Sequence, residues 1–350
     1  MPTTSRAYTF QSTGLYHSYS ELSDWAYGLQ AQEPNLVRVI EYGTTTSGRA
    51  LLAVNITVDP PADDPAKPEF LFTAGVHARE VITSEVARTL AETLVSGYQS
   101  GDPVYVDMLS ERDVWIVPDH NPDGRIAVEA GRSDQRKNDH LYPLQTPAHY
   151  SCGVDLNRNY PHKWNYASSS VRSETYRGPS VLSEPESSSL WALLHDESKF
   201  SNLLAAIDYH SGASMIISPW MSKSEFAGDP LPAEDRQKLD FLAERMSEES
   251  GYPVTRLTYD LYGTLTDSLY EEFGTYAFCE EVFKGPFIDY FTYFNPVDAE
   301  TRDAAIENGV NSALFLLSDE AFDVPEPSVL ALLTMGTATL LRRRRKTGHC

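Results

Sequence analysis

An α/β domain, built on a central mixed, mainly parallel twisted sheet with helices on its faces, is what the sequence predicts. Short apolar or alternating runs rich in β-branched and aromatic residues recur seven times between stretches of helical periodicity. Strands interleaved with helices call for crossover connections, which bury a largely parallel sheet between helical layers. The chain has 350 residues, 41% of them hydrophobic, enough to bury a large core without disulfides or metal. That composition excludes a disordered or collagen-like chain.

In chain order, the pattern places a helix over Ser18–Glu33 and strands over Val37–Tyr42 and Leu51–Val58. Asp59–Pro68 carries four prolines and reads as a loop. Glu69–Ala74 is an apolar strand that runs towards a helix over Val81–Ser96, and Val114–Val117 is the next strand. A serine-rich loop at Ser168–Ser170 precedes a helix over Glu184–His195. Strands follow at Leu204–Tyr209 and Met215–Ser218, then a helix at Ala233–Ser250 and a strand at Tyr276–Val282. The closing helix, Asp298–Leu317, spaces Ile306, Val310, Ala313, Leu314 and Leu317 to make one apolar face. No repeat or composition break divides residues 1–320, which are read as one domain, with 321–350 as a separate tail.

Charge sharpens that division. The formal net charge is −22, but the first 320 residues hold 23 basic and 48 acidic side chains, a net of −25. The last thirty hold five basic and two acidic ones, a net of +3. An acidic body repels a polyanion, so a nucleic-acid partner is excluded. Cys152, Cys279 and Cys350 show neither zinc-ribbon nor redox spacing and supply no disulfide framework. The opening MPTTSRAYTF lacks a charged region followed by an apolar stretch, so no secretory signal is visible in it.

Two histidines stand out by their surroundings. The strand PEFLFTAG runs into Val76-His77-Ala78-Arg79-Glu80, and Ala205-Ala206-Ile207-Asp208-Tyr209-His210 ends another apolar strand on an imidazole. Residues at such strand ends converge on the crevice beyond the sheet. Two His and one carboxylate leave a fourth tetrahedral position open, which is the pattern of a catalytic zinc. Alone, either motif is weak. Their company is what counts: Asn121-Pro122-Asp123-Gly124, Arg136-Lys137, Asp155-Leu156-Asn157-Arg158-Asn159, then Tyr259, Asp267 and Tyr276-Ala277-Phe278-Cys279-Glu280-Glu281.

That ordered set resembles the zinc carboxypeptidases of the carboxypeptidase A type, from about Tyr8 to Ser318. The resemblance implies one Zn2+ per chain, held by His77, Glu80 and His210. It implies that Arg136 faces the scissile carbonyl, that Asn157 and Arg158 hold the substrate's terminal carboxylate, and that Arg79 also binds substrate. Tyr259 would close over the bound C-terminus, and Glu281 would be the catalytic glutamate. Thr266 takes the position that sets side-chain preference. With Thr264, Leu261 and Cys279 nearby, nothing charged is there, so release of neutral, apolar or aromatic C-terminal residues is expected.

Peptide hydrolysis at neutral pH lacks a nucleophile, and zinc supplies one by lowering the pKa of a water to about 7. A carboxylate must then take and return a proton. Alternation along Tyr276–Glu281 sets Glu280 and Glu281 on opposite faces, and the resemblance puts the site on the Cys279–Glu281 face. Glu280 is therefore assigned a structural role. Arg136 suits a developing oxyanion, and the planar fork of Arg158 suits a carboxylate. The partners expected are peptides or proteins with a free C-terminus, and a monomer is expected. Two further readings are kept: a related zinc amidohydrolase acting on cell-wall peptides or acylated small molecules, and an inactive zinc-binding recognition module, against which Glu281 and Arg136 argue. Where the family has a tyrosine two residues after its third ligand this chain has Gly212, which is expected to loosen an outer wall of the site.

The tail reads Val324-Pro325-Glu326-Pro327-Ser328, thirteen apolar or small residues (Val329–Leu341), then Arg342–Lys346. Thirteen is short of the ~20 residues that cross a bilayer. The arrangement resembles the PEP-type sorting signal of Gram-negative bacteria, which implies a secreted or surface protein touching the membrane only transiently. Tyr8 onward already resembles the start of a mature enzyme, so no inhibitory pro-segment is expected, and export implies a start that was trimmed or mis-assigned.

Overall fold

The computed structural model describes residues 8–59, 67–145, 152–221, 231–257 and 260–322. The chain divides into two units, Met1–Leu317 and Ser318–Cys350. The first holds a seven-stranded sheet: β1 Val37–Thr44, β2 Ala50–Ile56, β3 Glu69–Thr73, β4 Asp113–Val117, β5 Leu203–His210, β6 Ala213–Ile217 and β7 Tyr276–Phe283. The order is β1-β2-β4-β3-β5-β7-β6. The inner strands β4, β3, β5 and β7 are parallel, and β1, β2 and β6 join antiparallel at the edges. A mixed, mainly parallel sheet was the expectation, and all seven strands lie where the apolar runs place them.

The helices are α1 Phe10–Thr13, α2 Tyr19–Gln32, α3 Ile82–Gln99, α4 Pro103–Glu111, α5 Pro122–Glu129, α6 Pro185–Leu194, α7 Ala233–Ser250, α8 Leu265–Phe273, α9 Tyr290–Phe294 and α10 Ala299–Leu316. A last turn, α11 Asp319–Phe322, belongs to the second unit. The periodic pattern foretells α2, α3, α6, α7 and α10 but not α4, α5 or α8. Each of those three is eight or nine residues long and opens on a side-chain cap, from Asp102, Asn121 and Thr264 respectively. Their start signal is local, and they are too short for an apolar stripe to announce them.

Register decides which residues share a face. Leu71, Ala206 and Ala277 form one row across β3, β5 and β7 and pack with Leu190 and Leu194 of α6 and Leu265 and Leu269 of α8. The neighbouring row, Phe72, Ile207 and Phe278, faces the opposite side, where α3 and α10 cover the sheet. There Gly309 lets α10 approach so closely that a Cβ would stand 2.9 Å from Val86 and 3.2 Å from Val282. Among the described residues no helix is long and apolar enough to cross a membrane. The apolar and arginine-rich run of the tail lies outside the described residues.

Candidate metal centre and active site

β3, β5 and β7 are parallel neighbours, so their C-terminal ends open on one crevice. Beyond Thr73, Gly75 turns the chain in a left-handed conformation (φ 71°) against Asp119, where a Cβ would stand 2.8 Å from the carboxylate. The turn that follows carries His77 and Glu80. It is closed by Glu80 N–H donating to His77 O (3.0 Å) and tied to the next loop by Ala78 N–H donating to Arg136 O (3.0 Å). β5 ends on His210, whose register partner on β7 is Glu281.

These elements bring three buried donors together. His77 Nδ1 lies 2.9 Å from Glu80 Oε1 and 3.1 Å from His210 Nδ1, and His210 Nδ1 lies 3.2 Å from Glu80 Oε2. Ligand atoms at zinc distances of about 2.0–2.1 Å are separated by about 3.3 Å in a tetrahedron, so this set fits zinc. The far side of each imidazole is held by a buried carboxylate. His77 Nε2 is 3.3 Å from Asp155 Oδ1, and His210 Nε2 is 2.9 Å from Asp208 Oδ2. Such partners fix ring orientation and raise ligand basicity. Asp208 is itself steadied by Thr73 Oγ1, which donates to its Oδ1 (2.7 Å).

Charge supports the same reading. Burial would raise Glu80, yet His77 and His210 beside it hold its carboxylate well below the usual range. Burial likewise opposes a proton on His210, but Asp208 and Glu80 pull its pKa well up. A cation among the three donors meets the negative charge that otherwise draws that proton.

Arg136 reaches towards the donors from one side. Its Nε donates to Asp155 Oδ2 (2.9 Å), and its Nη1 lies 3.9 Å from Glu80 Oε1. Glu281 faces the cavity half-buried, and its Oε2 accepts from Ala213 N–H (3.2 Å). Burial and then the charge of Glu80 push its carboxyl up to about 7. Glu280 points the other way, its Oε1 accepting from Ser312 Oγ on α10 (3.0 Å).

The donors sit in a cavity of about 590 Å³ that Arg79, Asn157, Arg158 and Glu281 also line. Asn157 and Arg158 lie in a 3-10 turn capped by Asp155. Asn157 Oδ1 accepts from Leu265 N–H (2.9 Å), which leaves its amide nitrogen 3.0 Å from His210 Nε2. Arg79 is buried, donates to Glu174 (2.6 Å) and stacks its guanidinium over Phe294 at 4.2 Å. Tyr259 lies outside the described residues. Thr266, expected at the floor of the side-chain pocket, is fully buried in the first turn of α8 and does not line the cavity. Ile217, Met221, Leu261 and Cys279 are among the uncharged residues of the lining, and Asp260 lines the cavity as well. Gly212 does not leave the wall open: at φ 126° it lies against Phe294, whose ring stands 2.6 Å from where a Cβ would be.

Sequence reasoning missed Asp208 and Asp155 as the carboxylates behind the two imidazoles. The signal for Asp208 was present, because a residue two before His210 on one strand shares its face. Asp155 is separated from His77 by 78 positions, and nothing local connects them.

An α/β domain with a three-donor His-Glu-His centre among arginines in one cavity is the class defined by this geometry. The chain belongs to the zinc carboxypeptidase family, whose sequence model matches residues 22–302, and a PEP-CTERM protein-sorting motif matches residues 323–346. Carboxypeptidase A5 of Macaca fascicularis is 29% identical over 265 residues, covering 75% of this chain and 56% of that protein. Zinc carboxypeptidase A 1 of Drosophila melanogaster is 34% identical over 189 residues, 53% of this chain and 42% of that one. The chain thus spans about half the length of the curated relatives it matches. Among solved structures, bovine thrombin-activatable fibrinolysis inhibitor, bound to tick carboxypeptidase inhibitor, aligns with TM-score 0.70 at 23% identity, covering 86% of this chain and 96% of that one. Carboxypeptidase A of Helicoverpa armigera gives 0.69 at 23%, covering 87% and 75%. At those identities the two structures share the fold.

Proposed function

We propose that this protein is a zinc-dependent exopeptidase that removes the C-terminal residue of peptides with a free α-carboxylate. The observation that carries this reading is the convergence of His77, Glu80 and His210 in the cavity that also holds Glu281, Arg136 and Arg158. When bound, zinc supplies an activated water and polarises the scissile carbonyl.

The chain's own groups do the rest. Glu281, pushed up to about 7, can accept a proton near neutral pH and return it to the leaving amine. Arg136, fixed by Asp155, opposes negative charge developing on the carbonyl oxygen. Arg158 pairs with the terminal carboxylate, its position set by the turn that follows Asp155, and Asn157 lies beside it. Tyr259 is assigned the closing role from its sequence position. Ile217, Met221, Leu261 and Cys279 favour an apolar side chain there, in place of the Thr266 floor. The sorting motif supports an exported protein, and we take it to act as a monomer.

Zinc analysis and peptide hydrolysis in wild type and Glu281→Gln test the mechanism. The variant should retain zinc and lose about 10²–10⁴ in kcat; equal rates would remove Glu281 from the role. Peptides ending in Phe, Lys and Glu test the preference. Asp260 makes the Lys peptide the demanding comparison, and faster release of Lys would overturn the apolar assignment. A C-terminal amide should be a poor substrate, and rapid hydrolysis of it would favour the amidohydrolase reading instead.

A further inference from the structure

Asp267 stands in the first turn of α8, buried, and does not line the cavity that holds the metal donors. Burial pushes its carboxyl up to about 7. Among the described residues one group donates to that carboxyl: Met221 N–H, 3.0 Å from Oδ1 and 3.2 Å from Oδ2. A buried acid with a single backbone donor is a poor source of stability. Its use lies in what that donor holds.

Met221 is part of the cavity wall, where it packs with Ile217 and Cys279, and Leu261 packs against the same cluster. Its carbonyl accepts from Leu261 N–H (2.9 Å), so both its backbone groups are held by the 261–267 segment. The same segment is pressed against Arg158. Gly263, in the left-handed region (φ 67°), lies so close that a Cβ would stand 2.4 Å from Arg158 O. Gly263 N–H donates to His162 O (2.8 Å), and its carbonyl accepts from Tyr160 N–H (3.1 Å). One short stretch of chain therefore fixes both Arg158 and the Met221 wall.

Resting on the exopeptidase reading, we propose that Asp267 is a positioning residue, which holds the Met221 wall at a set distance from Arg158 through the Met221 N–H. Arg158 is the group assigned to the terminal carboxylate. A C-terminal side chain and its carboxylate leave the same carbon, so the two surfaces that receive them must keep their spacing. Without the Asp267 acceptor the wall is released on that side. A large side chain then loses contacts that a methyl group never makes.

The test uses the zinc-loaded full chain and two N-blocked tripeptides that differ only in ending in Phe or Ala. The larger side chain covers about 110 Å² more apolar surface, which corresponds to about a hundredfold in kcat/KM. Wild type should show that preference. Asp267→Ala should cut it to about tenfold or less through the KM of the Phe peptide, with kcat and zinc content unchanged. Asp267→Asn still offers an oxygen to Met221 N–H and should keep the preference within about threefold of wild type. Should Asp267→Ala not fold, Asp267→Leu, of similar shape and without an acceptor, takes its place. An undiminished preference in the variant without an acceptor overturns the proposal. An equal loss in Asp267→Asn also overturns it, because charge is then the cause. A fall in kcat on both peptides does so too, since Asp267 then supports the site as a whole. Failure of wild type to release either residue overturns the exopeptidase reading itself.

Discussion

Replacing Asp208 tests whether the zinc affinity of this site is set partly from behind the ligands. Asp208 stands 2.9 Å from His210 Nε2, on the side of the ring away from the donor atom, and its other oxygen is occupied by Thr73. Asp208→Asn keeps the shape and an acceptor oxygen but removes the charge that makes the imidazole a stronger donor. Losing such a partner typically costs 10–100-fold in metal affinity, about 1.4–2.7 kcal/mol. The isosteric amide should fall near tenfold. Asp208→Ala, which also orphans the Thr73 hydroxyl, should approach a hundredfold. Competition for zinc against a chromophoric chelator measures both, and thermal unfolding of the zinc-free proteins separates affinity from stability. Equal zinc affinity in wild type and both variants would refute the argument.

Two further outcomes follow from buried groups. Burial raises the Glu280 carboxyl well above its ordinary value, so the folded state keeps a proton that the unfolded chain releases above about pH 4.5. Its contribution to stability therefore declines as pH rises from there, by up to ~1.4 kcal/mol per unit until the folded pKa is reached. Glu280→Gln should gain on wild type in denaturant melts between pH 5 and pH 8, and a constant difference would contradict this sign. Gly212→Ala forces a Cβ into the Phe294 ring at a φ that suits glycine and should cost about 1–3 kcal/mol in urea unfolding; a neutral effect would show that the ring yields freely.

Legibility differed by the range of the interaction. His77 and Glu80 were readable because three residues and a strand end place them on one turn, and the choice of Glu281 over Glu280 agrees with strand alternation. Glu280 indeed meets Ser312 on the far side of the sheet, while Glu281 lines the cavity. The short helices were not readable, since α4, α5 and α8 announce themselves only by caps. Thr266, reached by counting along the sequence, is buried in α8 and does not line the cavity. Met221 enters the lining because its N–H donates to Asp267 (3.0 Å), an attachment 46 residues away in the chain.

What the sequence determined by itself is the alternation of strands and helices, the donor types and the order in which they arrive. Local spacing and hydrophobic period are enough for that, because each acts within a few residues. Tertiary structure alone decided that β3, β5 and β7 lie side by side, so that donors 133 positions apart stand 3.1 Å from each other. It also decided that Asp155 and Asp208 back the imidazoles and that Phe294 closes over Gly212. These depend on strand order and on packing between distant segments, where a contact leaves no periodic trace along the chain.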